Sequence, residues 1–172
     1  MNINIDLDGK IIKFLSDETK KDNNTFSKYI EDIVYFALLE QKIEIENIFI
    51  SIKSANEKKI KQINKDYRNI DKVTDVLSFP IFDADEFSKI INEKQEQKKM
   101  KAIELGDIVI CLDRVKQQSI EYKTGILREM LYMITHGVCH LLGYDHQSDD
   151  QKTQMRKIEE NILDKIGVGK NE

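Results

Sequence analysis

The chain has 172 residues, 40% of them hydrophobic and 34% charged, with only 7 Gly and 1 Pro. That composition excludes collagen-like, Pro/Gly-disordered and membrane-spanning classes, and folding at this length buries roughly 70% of the unfolded surface, enough for one unaided core over residues 1–172. The net charge of −4 argues against coating nucleic acid with the whole surface, yet leaves room for a local basic groove.

Asn2 to Leu7 alternates Ile3, Ile5 and Leu7 with polar residues, the pattern of a half-buried strand and not of an apolar signal core. From Asn24 to Lys42 the period becomes helical, with Phe26, Ile30, Ile33, Val34, Ala37 and Leu38 on one stripe. Ile45 to Ile52 reads as a second strand. Ser54-Ala55-Asn56-Glu57 has the form of a capping box, opening a helix whose buried stripe is Ile60, Ile63 and Tyr67. Val73 to Phe79 reads as a strand stopped by Pro80.

The segment 83–101 is polar and biased, and reads as an exposed insertion or frayed helix. Ile108 to Leu112 is a continuous apolar run, the signature of a central strand covered on both faces. Asp113 to Tyr122 forms a short helix. Thr124 to Leu142 is a helix apolar nearly all round, which places it inside the fold, and Gly143 supplies a left-handed stop. A second capping box, Ser148-Asp149-Asp150-Gln151, opens the last helix, which buries Met155, Ile158, Ile162 and Ile166 and ends at Gly167. The expected fold is α+β: a small mixed sheet packed with helices around a central buried helix.

All 3 histidines fall within eleven residues, His136, His140 and His146. The first two are one helical turn apart on one face, and the Gly143 break lets the chain return with the third. Three neutral imidazoles with one open position describe a catalytic zinc site better than a structural one, although nickel or cobalt suits the same ligands. Cys139 reads as a core side chain, and with only Cys111 beside it a disulfide framework is excluded and a reducing cytoplasm expected. The spacing is that of the metzincin pattern HxxxHxxGxxH, but Gly137 stands where a peptidase keeps its glutamate base.

The run His136 to His146 (HGVCHLLGYDH) resembles the H-G-x-x-H-L-x-G-Y-D-H signature of the YbeY family of metal-dependent endoribonucleases. Two further segments agree with that family: Asn64 to Pro80, matching N-x-x-Y-R…D-x-x-T-D-V-L-S-F-P, and Leu105 to Ile110, matching L-G-D-I-V-I. The resemblance implies one Zn2+ on His136, His140 and His146. It also implies a single-strand-specific endoribonuclease acting in rRNA maturation and ribosome quality control. The partners it implies are RNA, namely rRNA precursors and the small ribosomal subunit, with no DNA and no membrane. It makes Arg68 a catalytic residue, and the chemistry suits: a planar guanidinium grips a phosphate through two parallel hydrogen bonds.

Residues 53 to 72 carry Lys53, Lys58, Lys59, Lys61, Lys65, Arg68 and Lys72 against Glu57, Asp66 and Asp71, either a track for an RNA backbone or a solvated helix face. Glu129 is positioned to orient a ligand or to pair with Arg128, and Asp145 to hold an imidazole or form a turn. Asp75 and Asp107 lie in the motifs without an assigned role. The rival readings are a metallopeptidase-like hydrolase with a displaced base, and a non-catalytic ribosome-assembly factor in which the metal staples the Gly143 turn.

Overall fold

Among the described residues four strands form one sheet, and seven helices are distributed unequally over its two faces. The computed structural model of the chain describes residues 1–20, 22–43, 45–97, 102–145 and 148–169. In chain order the elements are β1 (Asn2–Leu7), α1 (Gly9–Thr19), α2 (Asn23–Glu40), β2 (Asn47–Ala55), α3 (Glu57–Arg68), β3 (Val76–Pro80), α4 (Ala84–Gln97), β4 (Ala102–Cys111), α5 (Leu112–Tyr122), α6 (Ile126–Leu141) and α7 (Asp149–Lys165). The sheet order is β1-β2-β4-β3. β1, β2 and β4 run parallel, and β3 is antiparallel to β4 at the edge.

One face of the sheet carries the main core. Ile48, Ile50 and Ile52 of β2 and Ile103, Leu105, Ile108 and Ile110 of β4 are buried there. The spacing on β4 changes from two to three between Leu105 and Ile108 because the pairing with β2 slips at that point, Phe49 facing Glu104 and Ile50 facing Gly106. The bulge shifts the alternation by one, so Ile108 and Ile110 turn inward and Asp107 outward. Gly106 is required at this point: its φ is +131° and a Cβ would lie 2.1 Å from the Phe79 carbonyl oxygen.

Over this core lies α6, in contact with α1, α2, α5, α7, β3 and β4. Its apolar residues Met130, Leu131, Met133, Ile134, Val138, Cys139 and Leu141 are all buried. Among the described residues, the opposite face of the sheet is covered by α3 toward the C-terminal ends of β2 and β4 and the start of β3. Ile60 there meets Ala55, Leu77 and Cys111. The Ile108–Cys111 run ends a longer strand, β4, and is covered on both faces as expected, Ile108 and Ile110 by the main core and Val109 and Cys111 by the α3 cluster, whereas Leu112 already opens α5 and the earlier Glu104 and Asp107 are exposed.

Three further expectations need correction. Ser54 is not a helix cap. It remains in β2 and gives both its backbone N–H (3.1 Å) and its hydroxyl (2.6 Å) to the Asp8 carboxylate, while Asn56 caps α3 by accepting from the Lys59 N–H at 2.9 Å. Tyr67 does not join the buried stripe of α3; it is 74% exposed. The 83–101 segment contains a helix, α4, that buries Phe87 and Ile91 in the main core, near Ile43 and the Leu142–Gly143 turn. Its polar second half obscures that short apolar pattern, and residues 98–101 lie outside the described residues. α1, with only Ile11 and Leu15 buried, is an element the sequence reading passes over.

Candidate functional site

From Arg128 to Leu141 every residue of α6 is buried except Tyr132, His136 and His140. These three stand at i, i+4 and i+8, so the helix opens toward solvent along a single stripe. The His136 ring stacks beside Tyr132 with centroids 6.3 Å apart, and meets His140 edge-on at 4.6 Å. Their Nε2 atoms are 3.1 Å apart.

The other nitrogen of His136 is engaged from α7. Glu159, 2% exposed, sets a carboxylate oxygen 2.7 Å from His136 Nδ1. A buried carboxylate at that distance favours the tautomer with hydrogen on Nδ1, which directs the Nε2 lone pair at His140. Two imidazole ligands of one tetrahedral zinc, with Zn–N near 2.0–2.1 Å, have nitrogens about 3.3 Å apart. The observed pair fits one small cation between the two Nε2 atoms. Burial, together with the charge on Glu159, pushes the Tyr132 hydroxyl well above its ordinary value, so this neighbour stays neutral and donates no charge to the site.

Gly137 explains why the metzincin glutamate has no counterpart. A Cβ at 137 would stand 2.7 Å from Ile108 Cδ1 and 3.0 Å from Cγ2, so this position faces β4 and not the histidine stripe. The same close approach seats α6 on the sheet.

α6 ends where the sequence places its stop. The Gly143 N–H donates to the His140 carbonyl (3.0 Å) and the Tyr144 N–H to that of Cys139 (3.0 Å), with Gly143 at φ +83°. This paired pattern is a Schellman turn. A Cβ at Gly143 would lie 3.1 Å from Ala84, so the first residue of α4 buttresses the turn. Asp145 follows it, half-buried. His146 lies outside the described residues. Among the described residues no group of three or more His, Cys, Asp or Glu side chains is arranged to hold a metal.

Arg68 is not on the histidine stripe. It is the last residue of α3, on the other side of the sheet, and its Nη2 donates to the Ser78 carbonyl of β3 at 3.2 Å. Cys111 N–H bonds to the Asp75 carbonyl and Ile81 N–H to that of Leu105, so the alternation leaves the backbone groups of Val76, Ser78 and Pro80 directed at the free edge of β3. β3 also packs against α6. The arginine head group therefore sits on an edge strand that both helices touch.

Glu129 and Asp75 have structural partners. Glu129 accepts from the Thr124 hydroxyl in a short contact and orients no histidine, and Arg128 pairs instead with Glu160 of α7 at 2.8 Å. Asp75 accepts from the Val76 N–H (2.9 Å) and from Gln118 (3.1 Å), tying the start of β3 to α5. Glu159 is the site residue that sequence reasoning missed. Its only signal is a carboxylate one turn past Met155 on the apolar stripe of α7.

A family model described as Endoribonuclease YbeY matches residues 12–167. Curated relatives include the Endoribonuclease YbeY of Clostridium botulinum strain Langeland, 43% identical over 149 residues, covering 83% of this chain and 89% of that protein. The protein of the same name from Clostridium perfringens strain SM101 is 40% identical over 148 residues, covering 83% and 88%. The solution structure of a Thermotoga maritima protein superposes with a TM-score of 0.52 at 24% identity, over 95% of this chain and 90% of that one, and supports the fold.

Proposed function

The chain belongs to the YbeY family of endoribonucleases, and on that footing we propose that it is a single-domain, zinc-dependent hydrolase that cuts single-stranded RNA during rRNA maturation and ribosome quality control. The observation that carries the reading is the histidine pair: two Nε2 atoms 3.1 Å apart, one ring fixed through its far nitrogen by buried Glu159. His136 and His140 would hold the ion, with His146 as third ligand from beyond the Schellman turn. When bound, such an ion supplies Lewis-acid polarisation of an oxygen on the scissile phosphodiester.

This chain's own residues do the rest. Glu159 keeps the His136 ring in register and in one tautomer. Arg68 binds the phosphate through its guanidinium and offsets charge that grows on it during cleavage; its hydrogen bond to Ser78 presets the head group at the β3 edge. The basic run on α3 supplies the salt-sensitive attraction for the RNA backbone. A peptidase reading is disfavoured because position 137 points into β4. Cys111 and Cys139 are free and buried, which suits a reducing cytoplasm. Rim exposure at Tyr132, His136 and His140 supports access by a flexible single strand.

The test pairs metal analysis of purified protein with cleavage of single-stranded and hairpin oligoribonucleotides, using wild type and His136→Ala. One equivalent of zinc and cleavage of the single strand, both lost in His136→Ala with the fold retained by circular dichroism, is the expected result. Cleavage that survives metal loss would overturn the metal-dependent reading. Loss of fold without metal would favour the stapled assembly factor.

A further inference from the structure

Tyr67 and Arg68 are consecutive residues of α3 resting on consecutive residues of β3. The Tyr67 ring meets Phe79 edge-on, with centroids 5.2 Å apart and planes at 67°, and Arg68 meets the Ser78 carbonyl. Tyr67 is nonetheless 74% exposed, far more than packing on Phe79 needs. An edge-on contact combined with that exposure leaves a broad ring face bare to solvent.

The platform is stiffly mounted. Asn69 turns the chain in the left-handed conformation at φ 58°, and its N–H donates to the Lys65 carbonyl at 3.0 Å. Buried Asn64 ties the following loop by donating to the Lys72 carbonyl at 2.9 Å. The surroundings are cationic and loosely paired: Lys61 and Lys65 approach Asp71 only to 3.5 and 3.8 Å, and Lys72 is exposed. Ile70, two residues past the end of α3, is a further exposed apolar side chain, at 47%.

We propose that Tyr67 is a stacking platform for one unpaired nucleobase of the RNA, the adjoining phosphate lying on Arg68. The inference rests on the endoribonuclease reading and deepens it. A bare aromatic face beside fixed positive charge is how sequence-tolerant single-strand binders hold their ligand, because every base has a π face. Paired bases cannot leave the duplex stack to reach the ring without an unpairing cost, so the platform would itself select single-stranded RNA.

The probe is a short single-stranded oligoribonucleotide carrying 2-aminopurine at each position in turn, added to full-length protein in EDTA so that it is not cut. Wild type is expected to quench one position. Tyr67→Ala and Tyr67→Leu should lose that quench and bind about 10-fold more weakly, although Leu keeps an apolar contact with Phe79. Tyr67→Phe and Tyr67→Trp should retain both, and a duplex of the same sequence should show neither. Unchanged quench and affinity in Tyr67→Ala would overturn the platform alone and leave the exposed ring as a protein contact. Wild type that binds no RNA at all would overturn the endoribonuclease reading as well. Thermal midpoints of the four variants identify any that fail to fold, and the Leu–Phe comparison decides the matter without Ala.

Discussion

Glu159 of α7 and His136 of α6 are joined carboxylate to imidazole at 2.7 Å, with the carboxylate 2% exposed. The two helices are consecutive in the chain, and this contact ties the ring on the first to the buried stripe of the second. A Glu159→Gln substitution keeps the volume but weakens the acceptor. Zinc affinity, read by competition with a chromophoric chelator, is expected to fall about 10- to 100-fold. Unchanged affinity would show that the ring is oriented by its packing alone.

Gly137 carries a stability prediction. Alanine there gains about 1 kcal/mol in helix propensity but forces a methyl group to 2.7 Å from Ile108 Cδ1, and overpacking costs about 1–3 kcal/mol. Gly137→Ala should be destabilised in urea melts. Adding Ile108→Val removes the nearest atom, so the double variant should be no less stable than Ile108→Val by itself. Additive losses would show that the cost of the methyl group comes from atoms other than Ile108 Cδ1.

Arg68 sits outside the core, so its loss should separate activity from stability. Arg68→Ala is expected to lower cleavage of a single-stranded oligoribonucleotide by about 10- to 100-fold, the worth of a hydrogen bond to a charged group, with a small change in thermal midpoint. Arg68→Lys should restore little, because an ammonium cannot hold the Ser78 carbonyl and a phosphate in one plane. Full activity in Arg68→Lys would reduce the arginine to a point charge.

Acid stability should depend on Asp8. The Ser54 hydroxyl, followed by the Lys10 N–H, holds its carboxyl below the ordinary value of 3.8. A folded-state value below the unfolded one contributes stability that is present above 3.8 and lost as pH falls through the lowered value. Ser54→Ala should therefore be less stable than wild type by about 1 kcal/mol at neutral pH, and the gap should narrow toward about pH 2. A constant gap in urea melts at both ends would assign the effect to β2 packing and not to the carboxylate.

The histidine pair, the glycine stops at Gly143 and Gly167 and the last capping box were legible because each follows from spacing within one or two turns. The same local logic misassigned Ser54. Nothing nearby reveals that Asp8, just past the end of β1, claims its hydroxyl, after which Asn56 takes the cap. Glu159 was hidden for a similar reason, since its partner is 23 residues away. The polar tail of α4 outweighed Phe87 and Ile91, whose neighbours, Ile43 and the Leu142–Gly143 turn, lie far away in the chain. Tyr67 was misjudged because helical period alone does not tell how far a covering sheet extends. Here β3 is the edge, and beyond it the helix end faces water.

An open strand edge is also an invitation to a second molecule, and β3 is an open edge five residues long. Pro80 closes one end of it without an N–H to offer. Arg68 occupies the carbonyl at its middle with a cation that a like-charged neighbour would repel. The side chain assigned to gripping phosphate thereby also guards against intermolecular sheet growth, and a variant lacking it should aggregate sooner at high protein concentration.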